Sequence, residues 1–287
     1  MDYLAGLVGN ICIFIILSQS LHLVNGVSGQ FSLGHAAFWG IGAYVGSLVS
    51  IYYPLSDILA VNALASCGVA FLASSLVACF IGYPCSKLKG DYLAITTLGF
   101  GEIIKATIEN LELTGGPRGL TAIPRNVELS FIVLSTGVVV IVLNNFLRSK
   151  YGRLLFAICE DSVAAEFLGV PAAKFRLLAF SVGCGIAGIA GSLFAHHQEF
   201  IHPSNFSFNW SVIILLMTIV GGIGNSFGSI LGAVGVAIVP EVLRFIPNMS
   251  EFRLIIFSGL LIVIMLFKPT GFTKGVKISA FGTKVIS

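Results

Sequence analysis

Glu102 and Lys105 stand three residues apart in "GDYLAITTLGFGEIIKATIENLELTGGPRGL", residues 90–120, a stretch too polar to meet lipid around its whole circumference. On a helix that spacing puts both charges on one face, where they can pair. A carboxylate at membrane depth is by default a functional candidate, and a structural ion pair at a subunit interface is the competing account. Thr96 and Thr97 precede it, and Thr114, Gly115 and Gly116 are expected to terminate the helix in an outer loop. A second polar group opens "SGQFSLGHAAFWGIGAY", residues 28–44. Glycine-dense, non-helical backbone at membrane depth is tolerated only where protein buries it or water fills a cavity. Gln30, Ser32 and His35 bring donors and acceptors that need partners, so they are read as lining a cavity or cytoplasmic gate. Ser32-x-Gly34 before Gly40 is echoed by Ser226-x-Gly228 before Gly232. Paired broken helices often flank a substrate path, and Ser226 therefore joins the candidates. Gly40, Gly42 and Gly46, on the helix itself, are read as close-packing positions.

The other reactive residue types assemble no site. His196 and His197 are adjacent, so they point about 100° apart on a helix, and His202 falls in a loop. CxxC, HExxH and GxxxxGK are all missing, and "GGIGNSFG", residues 221–228, lacks the lysine of a phosphate loop. No metal, nucleotide or other cofactor is therefore expected. The six cysteines are read as small buried hydrophobes. An enzyme embedded in the membrane would need Glu102 to converge with His196 and His197, and no nucleophile–base spacing supports it.

The elements that carry these residues are membrane spans. Of 287 residues, 56% are apolar and 10% charged, against roughly 25% charged in soluble domains, and the mean hydropathy is +0.97. Apolar runs of about 17 to 25 residues give spans at 3–23, 36–53, 58–83, 129–147, 177–196 and 254–267. Three compromised runs, 92–109, 208–220 and 227–245, bring the count to nine. The expected fold is a single all-α, multi-pass membrane domain over 1–287, with broken or short helices.

Lysine and arginine orient it. Alternate loops collect Lys87 and Lys89; Arg148, Lys150, Arg153, Lys174 and Arg176; and Lys268, Lys274, Lys277 and Lys284 in a tail over 268–287. The opposite loops hold Arg118, Arg125, Arg244 and Arg253. The N-terminus is thus expected outside and the C-terminus in the cytoplasm. No basic region precedes the first apolar run, so 3–23 is read as a span and not as a cleaved signal.

The longest polar loop, "RSKYGRLLFAICEDSVAAEFLGVPAAKFR", residues 148–176, has the periodicity of a short amphipathic helix, a turn at Gly169 and Pro171, and a second helix. It reads as a cytoplasmic knob for another protein. Glu160, Asp161 and Glu166 suit an anionic lipid surface poorly, which weighs against a helix lying on lipid.

The blocks "GQFSLGHAAFWGIGAY", "GDYLAITTLGFGEII", "TGGPRGL", "GRLLFAICEDSVAAEFLGV", "LAFSVGCGIAGIAGSLFA" and "GGIGNSFGSILGA", in this order and over nearly the whole chain, resemble the branched-chain amino-acid ABC importer permeases. The resemblance implies a bacterial or archaeal inner-membrane subunit working with a second permease, two cytoplasmic ATP-binding subunits and an extracytoplasmic substrate-binding protein. It implies no nucleic acid. Ala164, Ala165 and Gly169 fit the family's coupling signature Glu-Ala-Ala-x-x-x-Gly, with Val163 in place of the glutamate, and Glu160 and Asp161 adjoin it. Urea and short-chain amide permeases share most of these blocks, so the ligand stays open between them and branched-chain amino acids. A passive channel would not need the charged loop at 148–176.

Overall fold

The computed structural model describes residues 2–53, 59–85, 88, 90–125, 127–222, 224–244 and 259. Its helices are α1 (Asp2–Leu21), α2 (His35–Tyr52), α3 (Leu59–Cys85), α4 (Asp91–Asn110), α5 (Leu129–Arg148), α6 (Lys150–Glu160), α7 (Ser162–Phe167), α8 (Ala172–Gln198), α9 (Phe208–Gly221) and α10 (Ser226–Arg244). Eight of the nine expected spans correspond to helices. The ninth, 254–267, lies outside the described residues, as do Ile58, Phe245, Lys87, Lys89, Arg253 and the tail over 268–287. Four helical segments, Tyr3–Val27, Leu59–Cys85, Leu129–Arg148 and Ala172–Gln198, are long and apolar enough to cross a membrane, and α9 and α10 are shorter apolar helices.

α8 is the axis of the bundle, buried along most of its length between α1, α2 and α3. Small residues permit this. A Cβ on Gly42 would overlap the Gly188 backbone, one on Gly191 would overlap the Trp39 carbonyl, and one on Gly185 would stand 2.7 Å from Phe71. Backbones therefore approach closely, which is how membrane helices gain packing energy without a hydrophobic drive. The outward faces of α3 and of the middle of α5 are apolar: Leu72, Leu76 and Phe80 on one, Leu134, Ile141 and Val142 on the other, are all exposed.

α2 and α8 run in parallel. Gly42 meets Gly188, Gly46 meets Ser192, and Ser50 meets His196. In that register His35, the first residue of α2, lies near Ser181, and α8 continues about 14 Å further toward its own N-terminus. α2 thus begins deep inside the bundle. α1 likewise does not end cleanly: it passes into a π-helical turn, His22–Val27, a form that concentrates at functional sites.

The loop at 148–176 departs from the single helix expected before its turn. Asp161 breaks it into α6 and α7, its Oδ1 accepting from the N–H groups of Val163 at 2.9 Å and Ala164 at 3.0 Å. That is N-cap chemistry. The turn at Gly169 is present, with φ +82°. The helix after it is the start of α8 itself, five residues before the expected span.

Candidate translocation site

The segment between the π-helical turn and α2 solves its backbone problem with side chains. Ser28 N donates to Leu23 O at 3.2 Å, and Gln30 N to Val24 O at 3.1 Å. Ser32 N donates to Asn25 Oδ1 at 3.3 Å and Leu33 N to Thr97 Oγ1 at 3.0 Å. Ala36 N, an orphan donor of the first turn of α2, reaches Ser211 Oγ at 3.0 Å, in the first turn of α9. Two helices running in opposite directions thus meet N-terminus to N-terminus inside the bundle. His35 Nε2 and Ser20 Oγ share a hydrogen bond of 2.7 Å.

Gln30, Ser32 and His35 are buried within this one subunit, while Gly29 and Phe31 face outward. Gly29 needs its φ of +68°, and a Cβ there would stand 2.9 Å from Cys159 Sγ. The segment therefore rests on the last turn of α6, in the loop at 148–176. Cys159 keeps part of its surface in solvent, and its partial desolvation pushes the thiol up from its usual range, opposed by Arg176 and assisted by Glu160. Several buried polar atoms beside the segment find no partner among the described residues: both ring nitrogens of His22, Asn25 Nδ2, Ser32 Oγ and His35 Nδ1. Such atoms call for water.

Thr97 belongs to this group, whereas Thr96 turns half outward and bonds only its own helix, Oγ1 to Tyr92 O at 2.7 Å. Glu102 is exposed on the outer face of α4 and does not pair with Lys105. Lys105 pairs with Glu109 at 3.8 Å instead, the i,i+4 neighbour. The outward face of α4 is mixed, with Glu102, Thr107 and Asn110 exposed beside Tyr92, Ile95 and Ile103. α4 ends at Asn110, four residues before Thr114, whose Oγ1 turns back to the carbonyls of Ile108 at 2.6 Å and Leu111 at 2.7 Å.

Ser226 lies apart from Gln30 and His35. It binds Gln19 of α1, although the two loops do approach: a Cβ on Gly26 would stand 3.3 Å from Gly224 N. The sequence echo also falls in different helical registers, since Ser226 begins α10 whereas Ser32 precedes α2 by three residues. The residues missed by sequence reasoning are Ser18, Gln19, Ser20 and Ser211. The first three form a polar triplet inside the apolar run 3–23, and that interruption was the available signal. The remaining histidines are structural. His196 binds Ser192 O and Ser50 Oγ, both at 2.7 Å, and His202 binds Pro117 O at 2.9 Å.

At the tip of the loop, Glu160, Ala164 and Gly169 are exposed and Ala165 is buried against Ile158 and Ala172. Beside them Phe167 and Leu168 are 87% and 84% exposed.

A family model described as the permease component of branched-chain amino acid transport systems matches residues 3–265. The chain belongs to that family. It is 34% identical to the high-affinity branched-chain amino acid transport system permease protein LivM of Salmonella typhimurium, over 90% of this chain and 67% of the relative. It is 27% identical to the probable branched-chain amino acid transport permease protein LivM of Methanocaldococcus jannaschii, over 93% and 83%. LivH of Salmonella typhimurium is 24% identical over 90% of each chain. No solved structure matches. The described helices thus form the all-α, multi-pass membrane fold of a permease component.

Proposed function

We propose that this permease carries branched-chain amino acids into the cytoplasm as one of two permease subunits, driven by two cytoplasmic ATP-binding subunits and supplied by an extracytoplasmic binding protein. The observation that carries this reading is the loop tip, where Phe167 and Leu168 stand out in solvent one turn from Ala164 and Ala165. Large apolar side chains exposed together mark a protein contact. Glu160, Ala164 and Gly169 share that surface, and Asp161 holds it in shape by capping α7. The N-terminus is outside, so the tip faces the cytoplasm and the ATP-binding subunits.

Gly29 against Cys159 then gives closure of the ATP-binding subunits a route inward, from α6 to the segment holding Gln30, Ser32 and His35. These residues, with Thr97 and the unpartnered atoms of His22 and Asn25, form a hydrated gate, and Ser226 guards the neighbouring loop. The passage itself runs along the outer face of α4, past Thr96 and Glu102. Exposed carboxylate and amide groups at membrane depth are excluded from lipid by cost, so this face meets the second permease and the water between the two.

The test uses the complete transporter in proteoliposomes. Phe167→Ser with Leu168→Ser should abolish uptake and the stimulation of ATP hydrolysis by the loaded binding protein, while the permease stays in the membrane and basal hydrolysis by the ATP-binding subunits persists. Undiminished stimulation would refute the docking role. Competition of labelled leucine uptake by urea or acetamide, with no effect from isoleucine or valine, would refute the substrate.

A further inference from the structure

α5 and α10 both pack on α1, and a cavity of about 590 Å³ opens between them, reached from one end by α6. Val140, Phe156 and Ile230 make its apolar walls, Arg148 and Arg153 stand at its α6 end with Asn225, and no described carboxylate lines it. The two arginines are brought together by the break between α5 and α6. Ser149 Oγ caps α6 by accepting from Gly152 N at 3.4 Å, and Gly152 packs against the Leu147 backbone. Arg153 Nη1 donates to Arg148 O at 3.0 Å, which draws its cation to the negative end of α5. The cavity opens beside outward faces that are apolar on both helices, Leu134 and Ile141 on α5, Phe227 and Leu231 on α10.

A small anion would use the arginines and leave the walls in water, and a purely apolar ligand would do the reverse. A phosphate head on a hydrocarbon tail satisfies both, as basic pockets between membrane helices do for anionic lipids. We propose that this cleft holds an anionic phospholipid, its phosphate between Arg148 and Arg153 and an acyl chain along Val140 and Ile230. In the orientation given above it comes from the cytoplasmic leaflet. Because α6 supplies Arg153 and also carries Cys159, the lipid fixes the base on which the loop tip moves.

The experiment is native mass spectrometry of the complete transporter, released from mild detergent after incubation with phosphatidylglycerol or phosphatidylcholine. Two basic groups at a membrane surface should favour the anionic lipid about 30-fold. Arg148→Ala with Arg153→Ala should remove that preference, and Arg148→Lys with Arg153→Lys should keep it. Val140→Trp leaves both charges in place but fills the cleft, so it should expel the lipid, and this decides the matter if the double alanine variant does not fold. Excess inorganic phosphate should leave phosphatidylglycerol bound. Equal retention of the two lipids, an unchanged preference in the double alanine variant, retention in Val140→Trp, or displacement by inorganic phosphate would each overturn the proposal. None of these readouts depends on what the transporter carries.

Discussion

Gln19 and Ser226, 207 residues apart, are joined by two hydrogen bonds: Gln19 Nε2 donates to the Ser226 carbonyl at 2.6 Å, and Ser226 Oγ donates to Gln19 Oε1 at 2.8 Å. On one side of Gln19, Ser18 Oγ donates to Ser229 O at 2.9 Å, and on the other Ser20 holds His35. Three consecutive residues of α1 thus fix the starts of both α10 and α2. Interhelical hydrogen bonds in membranes contribute about 0.6 kcal/mol on average and up to about 1.7. A double-mutant cycle of Gln19→Leu and Ser226→Ala isolates the bond made by Ser226 Oγ, since alanine keeps the carbonyl, and read by unfolding in mixed detergent it should give a coupling of about 0.6 to 1.7 kcal/mol. A coupling near zero would mean that the pair positions nothing.

The glycines divide sharply by surroundings. A Cβ at Gly188 would stand 2.6 Å from the Ala70 carbonyl and would also overlap Ser74, whereas one at Gly68 meets nothing within 4 Å. Gly188→Val should therefore cost about 3 kcal/mol or more through overpacking and sharply reduce the yield of folded protein. Gly68→Ala should stabilise α3 by up to about 1 kcal/mol. Thermal unfolding of the two variants in detergent checks both signs, and similar behaviour would contradict the close α3–α8 packing.

Topology is checked with single cysteines in a variant whose six native cysteines are replaced. Ser162 precedes α8 and Ser204 follows it, so a helix of 27 residues separates them. An impermeant maleimide added outside intact cells should label a cysteine at Ser204 and miss one at Ser162. Labelling of the Ser162 position alone would invert the orientation drawn from lysine and arginine.

Cys159 offers a pH readout of the contact between α6 and Gly29. Its thiol is raised by burial first, with Arg176 opposing and Glu160 adding, so less thiolate is present at neutral pH than in an ordinary cysteine, and the thiolate is the reactive form. Alkylation of Cys159 in the otherwise cysteine-free protein should be slow at pH 7 and accelerate as pH rises beyond the ordinary thiol range. Arg176→Ala removes the opposing charge and should slow it further at fixed pH. A rate equal to that of free cysteine, unchanged by Arg176→Ala, would mean that the thiol is not held as described.

Much of the architecture was legible in the residues themselves. A bilayer forces each span to close its own hydrogen bonds, so a local window of hydropathy is enough to find α1, α3, α5 and α8. Small residues at Gly42 and Gly46 announced close packing, and the turn at Gly169 was readable from the periodicity on either side of it. What local sequence left undetermined was the choice among polar partners. Lys105 had acidic neighbours at both Glu102 and Glu109, and it pairs with Glu109 while Glu102 faces away from the bundle. Asp161 read as a charge on a docking surface, and it caps α7 because the helix breaks there. Ala36 finds Ser211 across 175 residues, and Ser226 finds Gln19, not the segment holding Ser32 that its motif echoes. Only tertiary structure decides these contacts, because a hydrogen bond needs its partners within about 3 Å, and that proximity is set by how the helices cross and how deep α2 and α9 begin.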